Sequence, residues 1–248
     1  MKLSKDEKVL LRVDNEDIDS NGGFTFPDSV TSIGYAAFEE CTDLKKLLIP
    51  AQITTIGDWA FWNCTNLKTV VLPENLTKIG QCTFHSCTSL EGLVIPKHVT
   101  VIAEGAFYRC FNFKTIILPE SINEIGRSAF EECINLEALF ISKNITLIGR
   151  EAFFKCNKLE TIFTEGEDNY IDGVKKFLPY ELAIKVTPAT FSEEIFSKLN
   201  NNQAFKPTQA TSPILFFNKN KNLAQINNKL TQDVANSLDN RPDSTIFS

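Results

Sequence analysis

The chain has 248 residues, 43% of them hydrophobic, with a net charge of −6 and a pI near 5.1. The apolar content is enough for a sizeable core, and the acidic balance argues against nucleic acid or an anionic membrane as the main partner. No apolar run approaches the roughly 18 residues that cross a bilayer.

Residues 1–26 read as an N-terminal cap. The start, MKLSKDEKVLLRVDNED, lacks the apolar stretch of a secretory signal. Val9, Leu11 and Val13 alternate with outward positions, as in a strand. Asn21-Gly22-Gly23 marks a turn, and Phe24-Thr25-Phe26 falls where later repeats carry Leu47-Leu48-Ile49, forming a half-repeat.

Residues 27–164 repeat one line six times at a period of 23 residues, starting at Pro27, Pro50, Pro73, Pro96, Pro119 and Ser142. A fixed period of this size, rich in Leu, Ile and Val, predicts a solenoid whose coils stack side by side. Position 7 is always Ile, from Ile33 to Ile148, and position 12 is always Phe, from Phe38 to Phe153. Positions 4, 18, 21 and 23 are apolar too, apart from Thr164 at the last position 23. Identical side chains one strand spacing apart, about 4.8 Å, stack into continuous ladders. Gly at position 8 (Gly34, Gly57, Gly80, Gly126, Gly149) suggests a corner with φ > 0, and Ala103 in repeat four predicts local strain or a different turn. The A-F-x-x-C segment is long enough for one helical turn, with its Phe and Cys on one face. Positions 19–23 are β-branched and read as a short strand, ended by Pro at the next position 1.

The pattern P-x-x-V-T-x-I-G-x-x-A-F-x-x-C-x-x-L-x-x-L-x-I closely resembles the BspA-type leucine-rich repeat, over about residues 24–164. The resemblance implies an α/β solenoid: a right-handed superhelix of six repeats with a parallel β-sheet on its concave face. It also implies a protein of microbial surface, secreted or host-interaction type that binds other proteins, with no catalytic residues to carry over. The chain departs from the usual pattern at position 22, commonly polar but apolar here, and in showing no secretion signal or wall anchor.

From Glu165 the period fails. Residues 165–187 read as a degenerate cap, with Asp172 opening a short helix and Leu182–Val186 as a last strand. Residues 188–248 read as a mainly helical tail. Thr190-x-x-Glu193 is a capping box for a helix to about Leu199. Residues 200–213 are a linker, and Leu223, Ile226, Leu230, Val234 and Leu238 give an amphipathic helix before a disordered end.

The chemistry-bearing residues point away from catalysis. Six of the seven Cys stand one repeat apart (Cys41, Cys64, Cys87, Cys110, Cys133, Cys156). Zinc sites need C-x₂₋₄-C pairs, so small buried core residues, as free thiols in a reducing compartment, are the favoured reading. Cys82, off the ladder, makes no known ligand spacing with Cys87. His85 and His98 occupy variable, mostly polar repeat positions and read as surface residues. Asn63, Asn75 and Asn144 match the glycosylation sequon through the repeat consensus, without secretory context. The expectation is no catalytic residue, no metal and no cofactor.

Position 22 is the sharpest signal: Leu48, Val71, Val94, Ile117, Phe140, Phe163. With positions 21 and 23 inward, it faces the open side of the sheet. Position 20 shares that side and is mostly small, as at Thr69, Thr115 and Thr161. Such an apolar stripe marks an interface unless C-terminal helices cover it. A second candidate surface lies on the outer turns: Trp59, Trp62, His85, Tyr108 and Phe154. Aromatics are enriched in binding hot spots, though packing between neighbouring coils explains them better. The expected function is a non-enzymatic scaffold binding a protein through the concave face, as a bacterial effector acting on a host protein. The alternative is a structural protein that dimerises through the stripe or covers it with its own C-terminal helices. Expected localisation is cytoplasmic, or secreted without a signal peptide into a host cell.

Overall fold

The computed structural model describes residues 1–141, 144–164, 178, 180–183 and 186–188. The repeats form a β-solenoid of about six turns. The coils contribute strands to two parallel ladders; every repeat supplies one to the first, and every repeat but the third supplies one to the second. The side ladder, at positions 6 and 7, follows β2 (Val9–Arg12) with β3 (Ser32–Ile33), β5 (Thr55–Ile56), β7 (Lys78–Ile79), β8 (Val101–Ile102), β10 (Glu124–Ile125) and β12 (Leu147–Ile148). The face ladder, starting at position 20, contains β4 (Lys46–Leu48), β6 (Thr69–Val71), β9 (Thr115–Ile117), β11 (Ala138–Ile141) and β13 (Thr161–Thr164). Register is in step: Leu48 pairs with Val71, and Ile117 pairs with Phe140, which pairs with Phe163. Equal repeat lengths make this inevitable, because any slip would turn the aliphatic positions outward.

The core is the set of ladders that the period implies. Position-12 rings stack from coil to coil at centroid distances of 5.0 to 5.5 Å, from Phe38 to Phe153. Phe24 and Phe26 close the N-terminal end, with Phe24 edge-on to Phe38 at 5.0 Å. β1 (Lys2–Leu3) pairs antiparallel with β2 beyond them. In β2 the inward residue is Leu10, fully buried and paired with Ile33, while Leu11 is exposed. Of the expected inward residues, Val13 is fully buried and Val9 half-buried, but Leu11 gives its place to Leu10. Pairing with β3 places Leu10 in the Ile ladder, a stronger constraint than local alternation.

The outer segment is not a helical turn. Positions 10 and 14 have φ between 50° and 63° in every repeat, at Ala36, Trp59, Cys82, Gly105, Ser128 and Glu151, and at Glu40, Asn63, Ser86, Arg109, Glu132 and Lys155. The alternation aims N–H groups of positions 10, 12 and 14 at the next coil. Trp59, Phe61 and Asn63 thus donate to the carbonyls of Gln81, Thr83 and His85 at 2.8 to 2.9 Å. The N–H groups between them bond within the turn, as Trp62 does to Trp59. Left-handed backbone costs roughly 1–2 kcal/mol per non-glycine residue, offset by pairing the backbone donors that face the next coil.

Gly at position 8 has a different cause from the one expected. Gly34, Gly57, Gly80, Gly126 and Gly149 do not have positive φ. They are glycine because coils touch there: a Cβ on Gly57 would lie 2.6 Å from the Gly34 carbonyl carbon, and one on Gly126 2.7 Å from that of Ala103. Ala103 is neither strained nor differently turned, since its N–H bonds Ile79 at 2.9 Å as Gly57 bonds Ile33 at 2.8 Å.

Past the last repeat, the closing strand is β14 (Val186–Pro188), paired parallel with β13, and Tyr180–Ala183 forms a one-turn helix, α1. The expected strand at Leu182–Val186 is thus displaced toward the C-terminus. The short helix expected to open at Asp172, the expected helices at 190–199 and around 223–238, the linker and the end of the tail lie outside the described residues.

Candidate functional site

The face ladder sets Leu48 beside Val71, and Ile117, Phe140 and Phe163 in a second run, with Val94 in the unpaired segment between them. Leu48, Val94 and Ile117 are half-buried, as is Thr69 at position 20. Val71 and Phe140 are more enclosed, 7% and 4% exposed, and Ala138 at position 20 is 7% exposed. Aliphatic side chains one strand spacing apart shield each other's flanks, so the row presents tips, with its accessible part at Leu48, Val94 and Ile117. Thr115, Thr161 and Phe163 belong to β9 and β13 by their backbones.

The outer turns carry the second candidate surface. His85 stacks on Tyr108 at 4.7 Å and lies 6.1 Å from both Trp59 and Trp62, which are 6.0 Å from each other. The rings spend their faces on one another, which fits coil-to-coil packing. Burial in this stack, and after it the Arg109 charge, holds the His85 imidazole below its usual pKa. Arg109 lies over the Tyr108 ring at 5.3 Å and bonds Glu132 at 2.7 Å. Lys155 bonds the same carboxylate at 2.6 Å, and these two cations hold Glu132 below the usual carboxylate range. Phe154 stands apart from the stack, exposed, with Lys155 over its ring.

The Cys ladder is a hydrogen-bonding device. Each Sγ–H donates to the carbonyl of the position-12 Phe one coil back: Cys64 to Phe38 at 3.0 Å, Cys87 to Phe61 at 3.1 Å, Cys110 to Phe84 at 3.2 Å. Cys133 and Cys156 repeat the contact with Phe107 and Phe130, and Cys41 makes it to Val13 of the cap. All seven thiols are free and buried. Burial pushes Cys41 and Cys156 up to about 12, and Cys82 to about 11. These are protonated thiols, the reverse of the low-pKa thiolates that attack or ligate. Spacing could not reveal this role, although a small residue able to donate was a usable signal.

A cleft of about 440 Å³ opens at the cap, lined by Met1, Asp17, Asp19, Asn21 and Phe24 among others. Its carboxylates are committed locally. Asp19 accepts the N–H groups of Asn21 and Gly23, and Asp17 accepts the Asp14 N–H and pairs with the amino terminus at 2.5 Å.

Stacked coils of 23 residues, closed by the same apolar and hydrogen-bonding side chains, define a leucine-rich-repeat solenoid. Within that class the chain belongs to the BspA-type leucine-rich repeat family, whose profile matches residues 18–110 and 83–198 in six copies. Among solved structures it is similar to the leucine-rich repeat protein of T. pallidum, at 25% identity over 76% of this chain and 94% of that one, with a TM-score of 0.60. It is also similar to a leucine-rich repeat protein from Bacteroides ovatus, at 30% identity over 66% of this chain, with a TM-score of 0.53. The chain spans 43% of the Bacteroides protein's length. No curated protein matches it. Leucine-rich repeat proteins of this kind generally act in protein–protein interaction and are generally non-enzymatic scaffolds.

Proposed function

We propose that this chain is a non-enzymatic scaffold that binds a protein partner through the sheet face at positions 20 and 22. The observation behind this reading is the apolar row at position 22, in register where its strands pair, beside mostly small position-20 residues and half-exposed at Leu48, Val94 and Ile117. A row of tips on a rigid sheet is a contact surface that needs no reorganisation before binding. In this reading the partner is a host protein and the chain is a bacterial effector reaching it outside its own cell.

A second reading has its own support. Phe140 and Ala138 are enclosed in the free chain, so that end of the stripe is covered without a partner. Contact is then centred on Val94 and Ile117, and the C-terminal segment is the covering element at Phe140. Ile117→Glu separates the readings. Partner binding predicts lost association with a small change in melting temperature, because the charge is heavily penalised only once a complex desolvates it. Self-coverage predicts a stability loss of roughly several kcal/mol and a protease-sensitive C-terminal segment. Dimerisation predicts a variant that light scattering finds monomeric. A variant that associates and melts like the parent refutes an interaction role for the stripe.

A further inference from the structure

Repeat three is joined to its neighbours differently from every other repeat. On the side ladder, neighbouring coils are joined by position-5 and position-8 N–H groups. Thr54 to Thr31 and Gly57 to Ile33 link repeats one and two, and Thr100 to Thr77 and Ala103 to Ile79 link three and four. Among the described residues, the equivalents from Thr77 to Thr54 and from Gly80 to Ile56 are not made, and β5 and β7 are not paired. The Asp58 carboxylate fills that junction, accepting the Gln81 N–H at 2.9 Å, and a Cβ on Gly80 would lie 2.5 Å from its oxygen. On the face ladder the gap falls one junction later. Gly92 meets Thr69 in a single bridge, residues 91–94 form no strand, and no pairing joins them to β9. The outer turns stay bonded across both junctions: Phe61 donates to Thr83, and Phe84 to Ala106. The stack of Trp59, Trp62, His85 and Tyr108 straddles the same two junctions on the outside.

We propose that repeat three is a hinge built into the solenoid. The outer turns and their aromatic stack are the pivot, and the interrupted ladders are the side that opens. Gly92 is the permissive element, since position 20 elsewhere carries a side chain and glycine in a strand weakens it. Repeats one and two form one rigid body, and repeats four to six, continuously paired on both ladders, form the other. Bending there changes the curvature of the face on which Val94 sits. Coils that contact only their nearest neighbours concentrate motion at the weakest junction.

The test is electron–electron distance measurement in the full chain with spin labels at Asp43→Cys and Lys158→Cys. These exposed positions are five coils apart, about 24 Å at one strand spacing per coil. The native thiols are buried and protonated, so the labels go to the introduced sites. The expected result is a broad distance distribution that Gly92→Thr, which restores a side chain at ordinary φ, collapses to a narrow one. A parent distribution as narrow as the variant's overturns the hinge, and so does a broad one that Gly92→Thr leaves unchanged. If that variant fails to fold, amide relaxation dispersion on the parent decides. Exchange confined to residues 76–94 and 114–115 is expected. Exchange absent there, or equal at 122–140, refutes the hinge. The reading is independent of partner binding, since the free chain is measured.

Discussion

Phe107 is the residue on which the packing account is most exposed to test. Its ring is fully buried, lies between Phe84 at 5.5 Å and Phe130 at 5.2 Å, and meets Phe113 at 5.4 Å in a tilted contact. Phe107→Ala removes the ring from the middle of the ladder. The backbone has little room to collapse, because the Phe107 N–H bonds Ala129 at 2.8 Å and its carbonyl accepts the Cys133 thiol at 3.2 Å. A truncation of this kind costs about 3–5 kcal/mol. Aromatic pairing adds about 0.5–1.5 kcal/mol per contact beyond area, which places the expected loss in the upper half of that range. Urea melts followed by circular dichroism measure it as a fall in midpoint with unchanged slope. A loss under about 1 kcal/mol would mean that the coils tolerate a void, and that the Phe ladder is not what holds them together.

Three further outcomes are expected. A thiol reagent should label the folded chain slowly and the urea-unfolded chain at all seven cysteines; rapid native labelling of Cys110 or Cys133, or zinc in the purified protein, contradicts the inert ladder. Burial raises the thiol pKa values, so stability is fully present below the unfolded value near 9 and is lost as pH rises from there toward 12; an alkaline melting series with no decline would show that the thiols are not desolvated. Gly57→Ala should lower stability by about 1–3 kcal/mol through overpacking against the Gly34 carbonyl, despite the better intrinsic propensity of Ala; an equal or higher melting temperature would remove close coil contact as the reason for glycine at position 8.

The period made the solenoid legible before any coordinate. Equal spacing of Ile33 to Ile148 and Phe38 to Phe153 permits one arrangement, stacked coils in register. The backbone of the outer turn was not legible, because A-F-x-x-C satisfies helical spacing equally well. A usable signal was there: no residue at positions 10 or 14 is β-branched, as left-handed backbone requires. Gly at position 8 misled because glycine serves both positive φ and close approach, and only the neighbouring coil tells them apart. Leu10 displaced Leu11 from the core because strand pairing to β3 is a tertiary choice. The candidate stripe followed from alternation about positions 21 and 23, but the enclosure of Val71 and Phe140 depends on surroundings beyond a single repeat.

The claim that the position-22 row is a protein-binding face is tested most directly by site-specific photocrosslinking. A benzophenone amino acid replaces Ile117 on the face ladder, and in a control chain replaces Phe154 on the outer turn, both in the full chain incubated with host-cell lysate. The account predicts a discrete higher-mass adduct to another polypeptide from position 117, absent from position 154 and lost when Val94→Glu is added. No adduct from position 117, or the same adducts from both positions, would contradict it.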